Sequence, residues 1–194
     1  MKEPIKFGLI LLMFCAISAG LLAFVNGQTA DVIAKAQLQA TLDSYETIFG
    51  DEADGFEVYD ETKLAALQAT YPEVDAVFVA TKGGQPIGYG INFIAGGYGG
   101  NMTNAIGIKR EGDQILGFRN IVNAETKGFG TQIQDEPYYT SYEGKSAAGE
   151  LTISTNPQAE TEILQISGAT VTSKGVARGV NIALQAYNNV LKSE

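Results

Sequence analysis

Apolar residues fall along this chain in several distinct patterns, each predicting a different element. Phe7 to Val25 is a run of 19 residues without a charge, with Ser18 as its only hydroxyl. That is long enough to cross a bilayer as a helix. From Ala30 to Phe49 the apolar positions thin to a stripe (Val32, Ile33, Leu38, Leu42, Tyr45, Ile48), which predicts an amphipathic helix continuing or closely following the first. The Gly- and acid-rich stretch from Gly50 to Gly55 breaks that pattern, and Glu61 to Thr70 predicts a short helix. Strands follow at Val74 to Thr81, Ile87 to Ile94, Ala105 to Lys109 and Ile115 to Val122, divided by turns such as Lys82-Gly83-Gly84-Gln85 and Arg110-Glu111-Gly112-Asp113. Connections this short favour antiparallel neighbours. Thr126 to Gly144 is turn-rich and aromatic, and Leu151 to Ser154 predicts a further strand. A last helix carries Val171, Val176, Val180, Ile182, Leu184, Ala186, Val190 and Leu191 on a broad apolar face. The fold class read from this is α+β: an N-terminal transmembrane helix, then a largely antiparallel sheet domain with flanking helices. The expected divisions are an anchor over 1–28, a helical connecting region over 29–72 and the sheet domain over 73–194.

Charge gives the anchor a direction. Lys2 and Lys6 precede the apolar run, and no basic residue follows until Lys35. The positive-inside rule then places the N-terminus in the cytoplasm and the rest outside it, in a single pass. The alternative is a cleaved signal peptide, but the run exceeds a usual h-region and Gly27-Gln28-Thr29-Ala30 offers no clean A-x-A site. Leu12-Met13-Phe14 before Cys15 lacks the small residue of lipoprotein processing. A lone cysteine excludes an intrachain disulfide and an all-protein thiolate cluster. The chain has no histidine, which removes a Ser-His-Asp triad, the usual zinc sites and axial His ligation of haem. Redox chemistry here needs an organic cofactor. The net charge of −9 argues against a nucleic-acid partner.

Candidate chemistry gathers at Ser167-Gly168-Ala169-Thr170-Val171-Thr172-Ser173, where small residues deliver hydroxyls to the start of the last helix. Unpaired amides and the dipole make a helix start a place for a phosphate, and Gly168 and Ala169 let backbone approach a bulky group. The plain alternative is that these hydroxyls are helix caps. Ala95-Gly96-Gly97-Tyr98-Gly99-Gly100 and Glu125-Thr126-Lys127-Gly128-Phe129-Gly130 each combine bare backbone with one aromatic, as a flat ring system requires for close approach and stacking. Their plain alternative is a turn between strands. Neither is a P-loop or a dinucleotide fingerprint.

The ordered set of an apolar anchor, GYGG at Gly97 to Gly100, ETKGFG at Glu125 to Gly130, YYTSYEGK at Tyr138 to Lys145 and SGATVTS at Ser167 to Ser173 resembles the FMN-binding domain proteins that carry covalently attached flavin. Within them it is most similar to the G subunits of Rnf electron-transport complexes, and next to the C subunits of sodium-translocating NADH:quinone reductases. The resemblance implies FMN joined through its phosphate to the hydroxyl of Thr170, placed there by a separate flavin transferase using FAD and magnesium. It implies a cofactor site of Ser167, Gly168, Ala169, Thr172, Tyr98, Gly99, Glu125, Thr126, Gly128, Phe129 and Gly130 around that attachment point, with no metal and no catalytic side chain. The partners implied are the other membrane subunits of an Rnf-type complex coupling ferredoxin:NAD oxidoreduction to ion transport. The chain would be a redox subunit of that translocase, at the cell membrane. Three positions depart from the pattern: Leu164 replaces an Asp common three residues before the attachment motif, with Glu162 the nearest upstream carboxylate, while Lys127 and Phe129 replace Pro and Leu. The alternatives are a stand-alone flavin carrier and a membrane-anchored extracytoplasmic binding or assembly module without cofactor. A type IV pilin fits less well, since the apolar stretch lacks the acidic residue near its start.

Overall fold

The computed structural model describes residues 2–194, which fall into a first unit up to Ala40 and a second, Thr41–Glu194. A single helix, α1 (Lys2–Phe49), takes in both the apolar run and the amphipathic stripe, and its apolar part is exposed along its length. Among the described residues it is the one helix long and apolar enough to cross a membrane.

The second unit is built on a five-stranded meander in the order β1 (Gly55–Val58), β2 (Val74–Lys82), β3 (Gln85–Gly96), β4 (Asn101–Lys109) and β5 (Gln114–Val122), every neighbouring pair antiparallel. Helix α2 (Glu61–Thr70) connects β1 to β2. After β5 come 3₁₀ turns flanking the short α3 (Glu136–Tyr139), then β6 (Thr152–Ser154) paired in parallel with β7 (Glu162–Leu164), then α4 (Thr170–Asn189). The fold class is therefore the one read from the sequence. Within the stretch 29–72, α1 runs on to Phe49 and β1 joins the sheet as its edge.

Period-two alternation makes the two faces of the sheet unlike. On β3, Tyr89, Ile91, Phe93 and Ala95 belong to the larger core, with Ile106 and Ile108 of β4 beside them. On the other face, Gly90, Gly107 and Gly117 are register partners across three strands and form a trough. The end of α1 lies in it. A Cβ on Gly90 would enter the Tyr45 ring, and one on Gly107 would enter Ile48 and Phe49. Tyr45, fully buried, donates its hydroxyl to Asn92 Oδ1 at 2.6 Å, so its one polar atom is not stranded. Burying a side chain of this size contributes about 1.5–3 kcal/mol.

The opposite face receives α4 through Val176, Val180, Ala183, Leu184 and Tyr187, an i, i+4, i+7, i+8, i+11 stripe. Gly175 and Gly179 bring the helix close to the Gly96 carbonyl and the Phe93 ring. Four residues expected on the apolar face of the last helix differ in exposure or in element. Val171 is 56% exposed, Ile182 is half-buried, and α4 ends at Asn189, so that Val190 is its C-cap and the buried Leu191 starts a 3₁₀ turn. Val171 lies on the outward face of α4 with Lys174, Arg178 and Gln185, while Thr172 and Ser173 in the same turn are buried.

Candidate functional site

Two similar turns deliver the residues of the site. Phe129 N–H closes on the Thr126 carbonyl at 3.1 Å, and Ala169 N–H closes on the Ile166 carbonyl at 3.2 Å. Each turn has glycine third, Gly128 and Gly168, both with φ of 78°, a conformation in which a Cβ is strained. The ring of Phe129, delivered by the first turn, lies against Gly168 of the second.

These turns and the β3–β4 hairpin enclose a cleft of about 500 Å³ lined by Tyr98, Glu125, Thr126, Phe129, Gly130 and the run 168–172. The volume lies in the range of small-molecule and cofactor pockets. Of the twelve residues predicted for the site, nine line this cleft; Ser167, Gly99 and Gly128 do not. Val171, expected from the sequence to face the core, lines it instead. Tyr98 is 77% exposed and Phe129 56%, so that with Val171 three large apolar side chains stand uncovered around one opening. Scattered apolar residues at a surface need no explanation, but a cluster around a concave site does.

The four hydroxyls of SGATVTS have different fates. Ser173 is fully buried, donating to the Ala169 carbonyl at 3.1 Å and accepting from Ile166 N–H at 3.0 Å. Thr172 is 1% exposed and donates to Glu125 Oε2 at 2.7 Å. Ser167 is exposed but lies outside the cleft lining. Thr170, the first residue of α4, is exposed and lines the cleft, its Oγ1 accepting from the Gln165 amide at 3.5 Å. The N-cap, Ala169, provides no side-chain acceptor, and the first helical bond runs from Ser173 to Ala169. The amides of residues 170–172 therefore have no partner within the helix, which suits a phosphate. On chemistry, the residues present fit FMN: an exposed hydroxyl, amides without a helical partner and exposed rings line one cleft.

The departures each have a local cause or place. Leu164 is half-buried against the core in β7, and Glu162 accepts the N–H groups of Gln158 (2.8 Å) and Ala159 (3.2 Å), which hold its carboxyl below the usual range. Lys127 is exposed and outside the cleft lining. Two tyrosines of YYTSYEGK belong to the core: Tyr142 stacks on Phe118 with centroids 4.7 Å apart, and the hydroxyls of Tyr138 and Tyr142 meet at 3.0 Å. Sequence reasoning missed an amide chain beneath the site, in which Asn123 bonds Asn120 (2.6 Å) and Asn120 bonds the buried Asn104 (2.8 Å). The Asn side chains carry no periodic signal that marks them.

Comparison with known proteins agrees with this geometry. The FMN-binding domain family matches residues 97–185, a span that holds every residue of the cleft, and the RnfG N-terminal region family matches residues 1–48. The G subunit of the Na(+)-translocating ferredoxin:NAD(+) oxidoreductase complex of Acetobacterium woodii is 32% identical over 98% of this chain and 95% of its own length. The chain belongs to the RnfG family. It carries an FMN-binding domain. Another family member, the G subunit of the ion-translocating oxidoreductase complex of Shewanella baltica, is 30% identical over 97% of this chain and 92% of its own. In fold, the chain resembles the C subunit of the Na(+)-translocating NADH-quinone reductase of Parabacteroides distasonis, with a TM-score of 0.58 at 23% identity over 73% of this chain and 79% of that one. The NqrC structure from Shewanella oneidensis gives 0.53 at 21% identity over 61% of each chain.

Proposed function

We propose that this chain is the flavin-carrying electron relay of an Rnf-type ion-translocating ferredoxin:NAD oxidoreductase, and that it holds FMN covalently through Thr170. The observation that carries the reading is the inequality among the motif hydroxyls: Thr172 and Ser173 are buried in hydrogen bonds, while Thr170 faces the cleft at a helix start with no capping side chain. A flavin transferase using FAD and magnesium would join Thr170 Oγ to the FMN phosphorus. As that bond forms, the pyrophosphate bond of FAD breaks, AMP leaves, and the threonine proton departs with the displaced group or the transferase. When bound, FMN supplies electron uptake and release that the side chains lining the cleft do not supply. The amides of residues 170–172 would receive the phosphate oxygens, and Tyr98, Phe129 and Val171 would cover the ring system. Its partners would be the neighbouring membrane subunits of the complex. The tether suits a domain outside the cytoplasm, where a dissociated cofactor would be lost.

Chain produced together with its flavin transferase should gain the mass of an FMN group and fluoresce in a denaturing gel. Thr170→Ala should lose both completely, whereas Thr172→Ala should still acquire the covalent flavin; a fluorescent band from Thr170→Ala would defeat the assignment. The orientation rests on Lys2 and Lys6 before a span followed by no basic residue until Lys35. A reporter fused after Glu194 should report an extracytoplasmic location, and cytoplasmic activity would overturn both the topology and the external flavin.

A further inference from the structure

We infer that Glu125 is the positioning residue of the flavin site, a carboxylate that joins both glycine loops to α4 and thereby holds Thr172 inward and Thr170 outward. The inference rests on the flavin reading above for its function, but on geometry alone for the clamp. Glu125 lines the cleft, yet both of its carboxylate oxygens are directed into the protein: Oε1 accepts the Gly99 N–H at 2.9 Å and Oε2 accepts the Thr172 hydroxyl at 2.7 Å. Glu125 is 9% exposed. The slot it occupies is cut for it, because a Cβ on Gly97 or on Gly130 would overlap its carboxylate. Its own N–H donates to Asn123 Oδ1 at 3.1 Å, and Asn123 is held through Asn120 to Asn104 in the sheet. Hydrogen bonds thus run from the sheet interior to the third residue of α4. Thr172 lies in the first turn of a helix, where the dipole favours negative charge, so Glu125 brings from another loop the carboxylate that the Ala169 N-cap lacks.

Reach and charge can be separated. Glu125→Gln keeps the length and can still accept the Gly99 amide while its own amide meets Thr172; Glu125→Asp keeps the charge and is too short to span both. Full-length wild type and the Gln, Asp and Ala variants in detergent would be followed in two ways. In the unloaded chain, hydrogen–deuterium exchange at 97–100 and 168–173 should rise in Ala and Asp by about tenfold or more, and in Gln by about threefold or less, as expected for lost charge-assisted hydrogen bonds. With the transferase, FAD and magnesium, the rate of covalent loading should fall in the same order, and the visible circular dichroism of the loaded flavin should flatten in Ala and Asp. Exchange that is unchanged in all three variants, or an Asp variant that matches wild type while Gln behaves as Ala, would overturn the inference. If the Ala variant does not fold, Thr172→Val removes one of the two bonds and should raise exchange at 168–173 on its own; no rise would overturn the clamp. Failure of wild type to load flavin would defeat the flavin reading instead, and leave the exchange result to judge Glu125.

Discussion

Helices α2 and α4 begin in opposite ways. Asp60 stands at the N-cap of α2 and its Oδ1 accepts the Lys63 N–H at 2.9 Å, so the helix closes its own start with the residue type that sequence statistics favour. The start of α4 has Ala169 at that place, no capping side chain, an exposed threonine as first residue and three uncovered apolar side chains around it. An N-cap is worth about 1 kcal/mol, and α4 forgoes it at the end that lines the cleft. The other end of α4 is tied to the β4–β5 connection, with Tyr187 donating to Asp113 at 2.8 Å and Lys192 of the following 3₁₀ turn pairing with the same carboxylate. The difference teaches that the open start is a local property of the site and not a weakness of the helix. Its support comes across space, from Glu125 and the glycine loops.

That contrast breaks most forcefully at Gly99. A Cβ there would overlap the Ala124 carbonyl oxygen, backbone that cannot swing aside, and would pull the Gly99 amide off Glu125. Gly99→Ala should therefore destabilise the unloaded chain by about 3 kcal/mol, toward the upper end of overpacking costs. Gly128 is bare for another reason: open space surrounds it and only its positive φ requires glycine, so Gly128→Ala should cost about 1–2 kcal/mol. Thermal unfolding of both variants without flavin measures the difference. Equal losses would mean that the Gly97–Gly100 hairpin is not seated on the loop after β5, and would leave Thr172 as the one partner through which Glu125 supports α4.

Much of this was legible in the chain, and what was not has identifiable causes. The α2 limits and four long strands follow from turn residues and alternation, although β4 begins four residues earlier than its apolar alternation indicates, because Asn101-Met102-Thr103-Asn104 is mostly polar. β1 and β7, with four and three residues, are too short for a period-two signal to rise above chance. Nine of twelve site residues meet at the cleft because glycine and small-residue runs mark both turns and close approach. Choosing Thr170 over Thr172 on physical grounds needs the fold: the partner that turns Thr172 inward lies 47 positions away. Gly99 and Gly128 were expected to be bare for a ring system, and each has a sufficient cause in the protein's own backbone.

The smallest effect offers the sharpest control. Asp60→Ala removes a cap from α2 and should lower stability by about 1 kcal/mol, the usual cost of replacing such a residue with alanine. The hydrogen bond it removes is exposed, and α2 contributes no residue to the cleft, so solvent can replace the acceptor and nothing at Thr170 changes. Glu61 remains in the first turn to oppose the dipole, which keeps the loss from growing larger. Covalent flavin loading and visible circular dichroism should consequently match wild type while the unfolding midpoint falls. A loss of flavin in this variant would show that generalised softening of the domain is enough to disturb the site, and the contrast between a helix start closed for stability and one left open for a ligand would no longer stand.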